Sequence, residues 1–326
     1  MANAALKTPE FPRINAGYRA VFQPGRLTLG LVVPIEHYAT GPVPTMHQHI
    51  ERVQLAESLG FSAVWLRDVP FNVPAFGDAG QTFDPFVYLG ALAAQTDEIA
   101  LGVSSIILPL RHPAHVAKAA ATADVLSNGR LLLGVASGDR PEEYPALAVP
   151  FDQRGERFRQ SYEYIRNVAA RRPGFDSPLG RVSGGMTMLP RPVGGRLPLL
   201  ITGSSQQAPD WIAEHGDGWM TYPRPAPAQA RLIEDYRARV VASAGFDKPV
   251  MEPLYVDLVP DVNAAPEPIH LGLRLGANAL RDYLRSRAAI GVNHIALNLR
   301  FHAGGTEAAL TQLAADVLPE FSHQEL

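Results

Sequence analysis

Three short runs of small and polar residues hold the chemical promise of this chain: Ser104-Ser105, Ser137-Gly138-Asp139-Arg140 and Gly203-Ser204-Ser205. The first two follow near-continuous apolar runs at 99–103 and 131–136, the pattern of parallel strands covered on both faces. Small residues at strand ends leave room for a large flat group to lie across a sheet, so these runs point to a cofactor site. The third run follows the short apolar segment 197–202 and precedes an expected helix ending near Gly216. Free backbone N–H groups and the helix dipole suit such a start to a phosphate, and Gly203 admits close backbone approach. The plainer reading is that Ser204 or Ser205 only caps the helix. No GxGxxG follows a strand and no GxxxxGK[ST] occurs, which counts against Rossmann and P-loop sites.

The candidates for proton transfer are Asp68, at the end of an expected strand, and His112, just before a helix start; Glu36-His37 is a further pair. Each has a structural alternative. Asp68 can pair with Arg67 or cap a turn, His112 can anchor a loop, and Glu36 and His37 can be solvated. His47-Gln48-His49 imitates the paired histidines of metal-dependent barrel hydrolases, but it opens a helix after a long loop. We read it as surface and expect no metal. Lys7, Lys118 and Lys248 are the only lysines among 29 basic residues, and none falls in an expected strand. Schiff-base, pyridoxal and carbamylated-lysine chemistries are therefore improbable. With no cysteine, disulfides, zinc–thiolate sites and cysteine nucleophiles are excluded.

These residues need a scaffold, and the hydrophobic pattern supplies one. Eight strand-like segments, at 27–33, 62–67, 99–104, 131–136, 199–202, 218–221, 253–259 and 294–299, are mostly followed by helix-like ones. The first helix carries Ile50, Val53, Ala56 and Leu59 on one stripe and stops at Gly60. Pro113 and Asn128-Gly129 suit the two ends of another. Helix-to-strand connections are minimal, as at residue 60, 97–98 and 128–129. Strand-to-helix loops are long: 68–83, 137–151 and 260–271. This asymmetry is that of a single-domain (β/α)8 TIM barrel, an α/β fold with its site at the carboxyl ends of the strands. Residues 1–26 read as an N-terminal arm and 27–326 as the barrel, with a Pro/Gly-rich excursion at about 171–197 on the far face.

The 326 residues are 46% hydrophobic and 19% charged, as in a globular protein with a large core. A net charge of −3 gives no reason to expect nucleic acid or an anionic membrane as partner. No apolar run reaches the length of a membrane span and residues 1–26 lack a signal-peptide core, so the cytoplasm is the default.

The segments AVWLRD, DPFVYLGALAAQTDEIALGVSSIILPLRHPAHVAKAAATADVLSNGRLLLGVASGD and ITGSSQQAPDWIAEHGDGW together resemble the bacterial luciferase-like superfamily of flavin- or deazaflavin-dependent oxidoreductases. The similarity runs from about residue 27 to 319, and the LG-x5-LP-x2-HP run followed by LS-x-GR-x3-G is specific. The resemblance implies a dimeric TIM barrel binding reduced FMN, or coenzyme F420, at its carboxyl face. It places Ser104-Ser105 where members often hold a cis peptide beneath the flavin ring. Ser205 and the backbone around Ser204 match the phosphate turn. Ser137 stands where luciferase directs an arginine toward the phosphate. Asp139 and Arg140 follow beside the flavin, and Arg140 either supplies the missing charge or pairs with Glu142 or Glu143. Val69 and Pro70 occupy the place of the luciferase histidine, which leaves the general acid/base open.

The expected activity is that of a monooxygenase using FMN reduced elsewhere, by a separate flavin reductase, with O2 and a small organic substrate. The alternatives are F420-dependent hydride transfer and a non-catalytic flavin-binding protein. Phe71, Val73, Phe76, Tyr144 and Leu147, on the two long loops, are expected to line the substrate space.

Overall fold

All eight apolar runs become parallel strands in the computed structural model, which describes residues 10–321. Residues 1–9 of the expected arm and the last five of the expected barrel segment lie outside the described residues. The strands are β1 (Thr28–Val32), β2 (Ala63–Leu66), β3 (Ala100–Ile107), β4 (Leu131–Ala136), β5 (Leu199–Thr202), β6 (Gly218–Met220), β7 (Val250–Leu258) and β8 (His294–Asn298). Neighbours pair in chain order, β8 returns to β1, and β6 pairs with β7, so the sheet closes into a TIM barrel. Two boundaries differ from the sequence pattern. β3 runs on through Ser104-Ser105 to Ile107, with a register shift against β4 between Val103 and Ile106. β7 begins three residues early, and its second half pairs with Gly272–Leu275, one arm of a hairpin with Glu267–Ile269.

The strands are buried on both faces because helices pack outside while side chains fill the inside. Val32, Ala63, Trp65, Ala100, Leu132, Leu200, Met220, Met251 and Ala296 form a buried cluster separate from the larger strand–helix layer. Trp65 dominates that cluster. A Cβ on Gly102 would stand 2.3 Å from Trp65 Cε3, so the indole needs a neighbour with no side chain. Trp65 Nε1 donates to His294 Nε2 at 2.8 Å, while His294 Nδ1 lies 2.8 Å from Thr28 Oγ1. An indole N–H only donates, so Nε2 accepts and the imidazole proton sits on Nδ1. Thr28 Oγ1 in turn donates to Val21 O at 2.7 Å.

Helix α1 (Ala16–Val21) closes the amino end of the barrel. Tyr18 and Val21 are buried in the interior cluster, and Tyr18 Oη donates to Asp217 O at 2.5 Å. The other helices used below are α2 (His49–Ser58), α3 (Pro85–Ala93), α4 (Pro113–Leu126), α5 (Arg154–Val168) and α6 (Pro209–His215). Asn128 and Gly129 end α4 with φ of 59° and 82°, and Gly17 N donates to Gly129 O at 2.9 Å. The 171–197 segment carries a small hairpin (Phe175–Ser177 and Gly180–Val182) and then passes the amino end, where Val193 N donates to Asp124 Oδ2 at 2.8 Å.

Two outcomes follow from the filled interior. Gly102→Ala forces a methyl group into the Trp65 ring and should cost at least the roughly 1–3 kcal/mol of core overpacking, read as a lower urea midpoint. Burial pushes His294 down to about 3. In the unfolded chain a histidine titrates near ~6.5. Its stabilising contribution is therefore complete above about pH 6.5 and is lost progressively as pH falls toward about 3. The urea midpoint should drop between pH 7 and 5, before most carboxylates titrate.

Candidate functional site

The carboxyl ends of β2 to β6 surround a cavity of about 400 Å³, lined among others by Arg67, Ser104, Ser137, Arg154, Gly203 and Tyr222. A second hollow of about 100 Å³ continues over the barrel mouth and shares Arg67, Ser104, Thr202 and Tyr222 with the first. Met220, Met251, Tyr255 and Asn298 line its floor and far side. A hollow of about 500 Å³ at the amino end, between Arg26, Arg285 and Phe321, gathers none of the expected site residues. The two joined hollows fall within the size range of small-molecule sites.

All nine residues expected to bind cofactor line the larger hollow, among them Ser105, Gly138, Asp139, Arg140, Ser204 and Ser205. The bond joining Ser104 and Ser105 is cis. Ser105 Oγ is hydrogen-bonded to Thr202 Oγ1, tying the end of β3 to the end of β5. Gly138 has no room for a side chain, since a Cβ there would lie 2.7 Å from both Ile107 Cγ2 and Tyr144 Oη. That phenol donates to Ser137 O.

The 203–206 turn departs from the expected geometry. Helix α6 starts only at Pro209, with Ala208 at its N-cap position, so neither Ser204 nor Ser205 opens a helix. Gly203, Ser205 and Gln206 instead take positive φ, 57°, 44° and 60°. Successive N–H groups in such a turn form an anion-binding concavity. Gly203 N is already committed to Met220 O at 2.8 Å. Among the described residues, nothing accepts from the N–H groups of Ser204, Ser205 and Gln206. Ser205 Oγ donates to Thr202 O, and Gln207 braces the turn through Ser205 O and Gly155 O.

Arg154, the first residue of α5, was missed in the sequence. It lines the cavity beside this turn, with Gly155 packed on Gln206, and its Nε is buried without a partner among the described residues. A cation in the first turn of a helix opposes the dipole, and this was the legible signal. Arg140 also lines the cavity but does not bond to Glu142 or Glu143. Its guanidinium lies 4.1 Å from the Phe76 ring centroid and donates to Asp78 O at 2.9 Å, which fastens the 137–150 loop to the 68–83 loop.

The two expected catalytic residues are otherwise engaged. Asp68 lines the cavity, but its carboxylate accepts from Arg111 Nη2 (2.7 Å), Arg111 Nε (2.9 Å) and Ile107 N (3.1 Å). This saturated carboxylate ties β2 to the end of β3, and its partner is Arg111, not Arg67. Arg67 pairs with Asp78 at 2.6 Å. His112 is exposed away from both hollows and caps α4, its Nδ1 accepting from Ala114 N at 3.3 Å. Glu36 holds Thr45, and His49 Nδ1 meets Tyr88 Oη at 3.0 Å. Among the described residues no cluster of His, Cys, Asp and Glu could hold a metal ion. Of the apolar loop residues, Phe76 lines the cavity, whereas Val73 and Tyr144 are buried in loop packing and Phe71 and Leu147 face outward.

The sequence profile described as luciferase-like monooxygenase matches residues 27–259. The chain belongs to the luciferase-like monooxygenase family. It is similar to an uncharacterized protein of Mycobacterium tuberculosis, 32% identical over 228 residues that span 64% of this chain and 79% of the relative. It is also similar to the F420-dependent hydroxymycolic acid dehydrogenase of that species, 26% identical over 68% of this chain and 58% of that one. In fold it resembles the oxygenating constituent of 3,6-diketocamphane monooxygenase of Pseudomonas putida, a structure in complex with FMN. The TM-score is 0.72 at 12% identity, over 91% of this chain and 99% of the other. Both FMN and F420 therefore occur among the proteins this family member resembles. No helix of the described residues is long and apolar enough to cross a membrane.

If Asp68 is a structural tie, Asp68→Asn should lower stability by about 1–3 kcal/mol, because Arg111 is left with half a partner. Denaturant titration checks this. An unchanged midpoint would mean that the Asp68–Arg111 pair contributes nothing to holding the strand ends.

Proposed function

We propose that this protein is a flavin-dependent monooxygenase that uses reduced FMN and O2 on a small organic substrate, the FMN being reduced by a separate enzyme. The observation that carries this reading is a continuous hollow with an anion-binding turn at one end and an apolar barrel mouth at the other. The residues present fit the cofactor. Three N–H groups without acceptors and the unpartnered Arg154 Nε suit a phosphate. At Gly203 a Cβ would meet nothing within 4 Å, so the turn opens onto free space. Ser104, Ser105 and Thr202 offer hydroxyls along the middle, and Met220, Met251 and Tyr255 offer apolar surface to a ring.

Reduced FMN, when bound, supplies the electrons that activate O2 for transfer of one oxygen atom to the substrate. The chain's own residues hold and shield. Arg154 and the 204–206 N–H groups neutralise the phosphate. Ser105, held by Thr202, keeps the end of β3 in place beneath the ring. Arg140 and Phe76 lock the two long loops together as one wall, which restricts water at the reacting end.

A second reading, hydride transfer with F420, draws on one feature. Ser204 and Gln206 are exposed, so the phosphate end leaves the protein open to the longer tail that F420 carries beyond its phosphate. Fluorescence titration with FMN and with F420 separates the two. We expect saturable FMN binding that Arg154→Met weakens. Loss of a charge-assisted hydrogen bond of about 1.5–3 kcal/mol corresponds to roughly 10- to 150-fold. Retention of F420 alone would select the second reading, and retention of neither would overturn both.

A further inference from the structure

Glu143 is 3% exposed, lines the same hollow as Val69, Ser104 and Ser137, and its Oε1 is buried without a hydrogen-bond partner among the described residues. It is set apart from every other titratable group around the two hollows. Asp68 is saturated by Arg111 and the Ile107 N–H. Asp139 is exposed to solvent. No histidine of the described residues lines either hollow. The phenols of Tyr222 and Tyr255 are both pushed upward by burial, so they keep their protons through the neutral range.

The surroundings of Glu143 favour a carboxyl that changes charge near neutrality. Burial is the main influence and raises it to about 7. Asp68, from the end of β2, and Asp139, on its own loop, act in the same direction. Arg140 and the Phe71 N–H oppose them, and Arg140 Nη1 is itself buried without a partner. The remaining cations of this wall are engaged elsewhere: Arg67 with Asp78, and Arg111 with Asp68 and Asp84. Arg154 stacks on Phe151 with its guanidinium 3.8 Å from the ring centroid.

Resting on the oxidoreductase reading above, we propose that Glu143 is the catalytic acid of this site, giving its proton to a negatively charged oxygen of the reactant held in the larger hollow. The carboxyl O–H bond breaks and leaves its electron pair on Glu143, and the new O–H bond forms on the reactant. Negative charge thus passes from reactant to Glu143, where the positive charge of Arg140 favours it. Solvent returns the proton when the product leaves. The role that a histidine on the β2 loop cannot fill here, with Val69 and Pro70 in place, falls to a carboxyl reaching the same wall from the β4 loop.

Infrared titration of wild type, Glu143→Gln and Glu143→Asp tests the protonation, and reoxidation of protein-bound reduced FMN by O2, followed against pH, tests the role. The carbonyl-stretch band of a neutral carboxyl should vanish in wild type as pH rises through about 7 and be missing from the Gln variant. FMN affinity should stay within about threefold, since the phosphate contacts lie elsewhere, whereas a tenfold change is about 1.4 kcal/mol. The reoxidation rate should fall with rising pH in wild type, be slow and flat in the Gln variant, and regain its pH dependence in the Asp variant. A band that survives in Glu143→Gln, or a pH profile the substitution leaves unchanged, overturns the proposal. Wild-type protein that retains neither FMN nor F420 overturns the oxidoreductase reading, and this proposal with it. Intact binding with an unaltered profile removes only the role of Glu143.

Discussion

The barrel can present a site only because its interior is filled, and the largest side chain in that filling is Trp65. Trp65 lies against the bare backbone of Gly102, and its N–H is absorbed by an imidazole that burial keeps neutral. A buried polar atom without a partner costs on the order of 1–3 kcal/mol. The Trp65–His294–Thr28–Val21 relay leaves none. Because each member is fixed by the next, the registers of β1, β2, β3 and β8 are coupled, and the positions where those strands end are coupled with them.

What stands on that floor is a ring of cross-strand ties. Arg111 and Asp68 join the ends of β3 and β2, Ser105 and Thr202 join β3 and β5, and Tyr144 holds Ser137 at the end of β4. None of these is a surface ion pair of small worth. Each engages a buried or half-buried group whose loss would strand its partner. The ties also divide the arginines by task. Arg67 and Arg111 are engaged in holding loops and strand ends, whereas Arg140, which also joins two loops, and Arg154 each keep a nitrogen without a partner among the described residues.

Element positions were legible in the residues because parallel strands, buried on both faces, announce themselves as apolar runs, and Asn128-Gly129 and Gly60 punctuate the helices. The clustering of strand-end residues was legible for the same reason. Contacts made across the barrel were not. Asp68 and Arg111 are 43 residues apart, and nothing local shows that the carboxylate is saturated. The 203–206 turn looked like a helix start because Gly-Ser-Ser before a helical pattern usually is one. Three residues of positive φ among four, Gly203, Ser205 and Gln206, delay the helix instead. Glu143 entered the sequence reading only as a partner for Arg140, because a glutamate in a Pro-rich loop reads as solvated and only the fold encloses it.

Closure of the barrel also sets an order of events for the nascent chain. The first strand has as its neighbours the second and the last, and the plug formed by residues 16–21 reaches across to residue 217. Until some 270 further residues have left the ribosome, β1 keeps an unpaired edge and the floor residues have nothing to cover. Contacts of such separation slow folding and leave half-made sheets prone to stick to one another. The amino-terminal segment, remote from the chemistry, thus has its hydrogen-bond partners at residues 129 and 217 once the latter has been made, well before the last strand closes the ring.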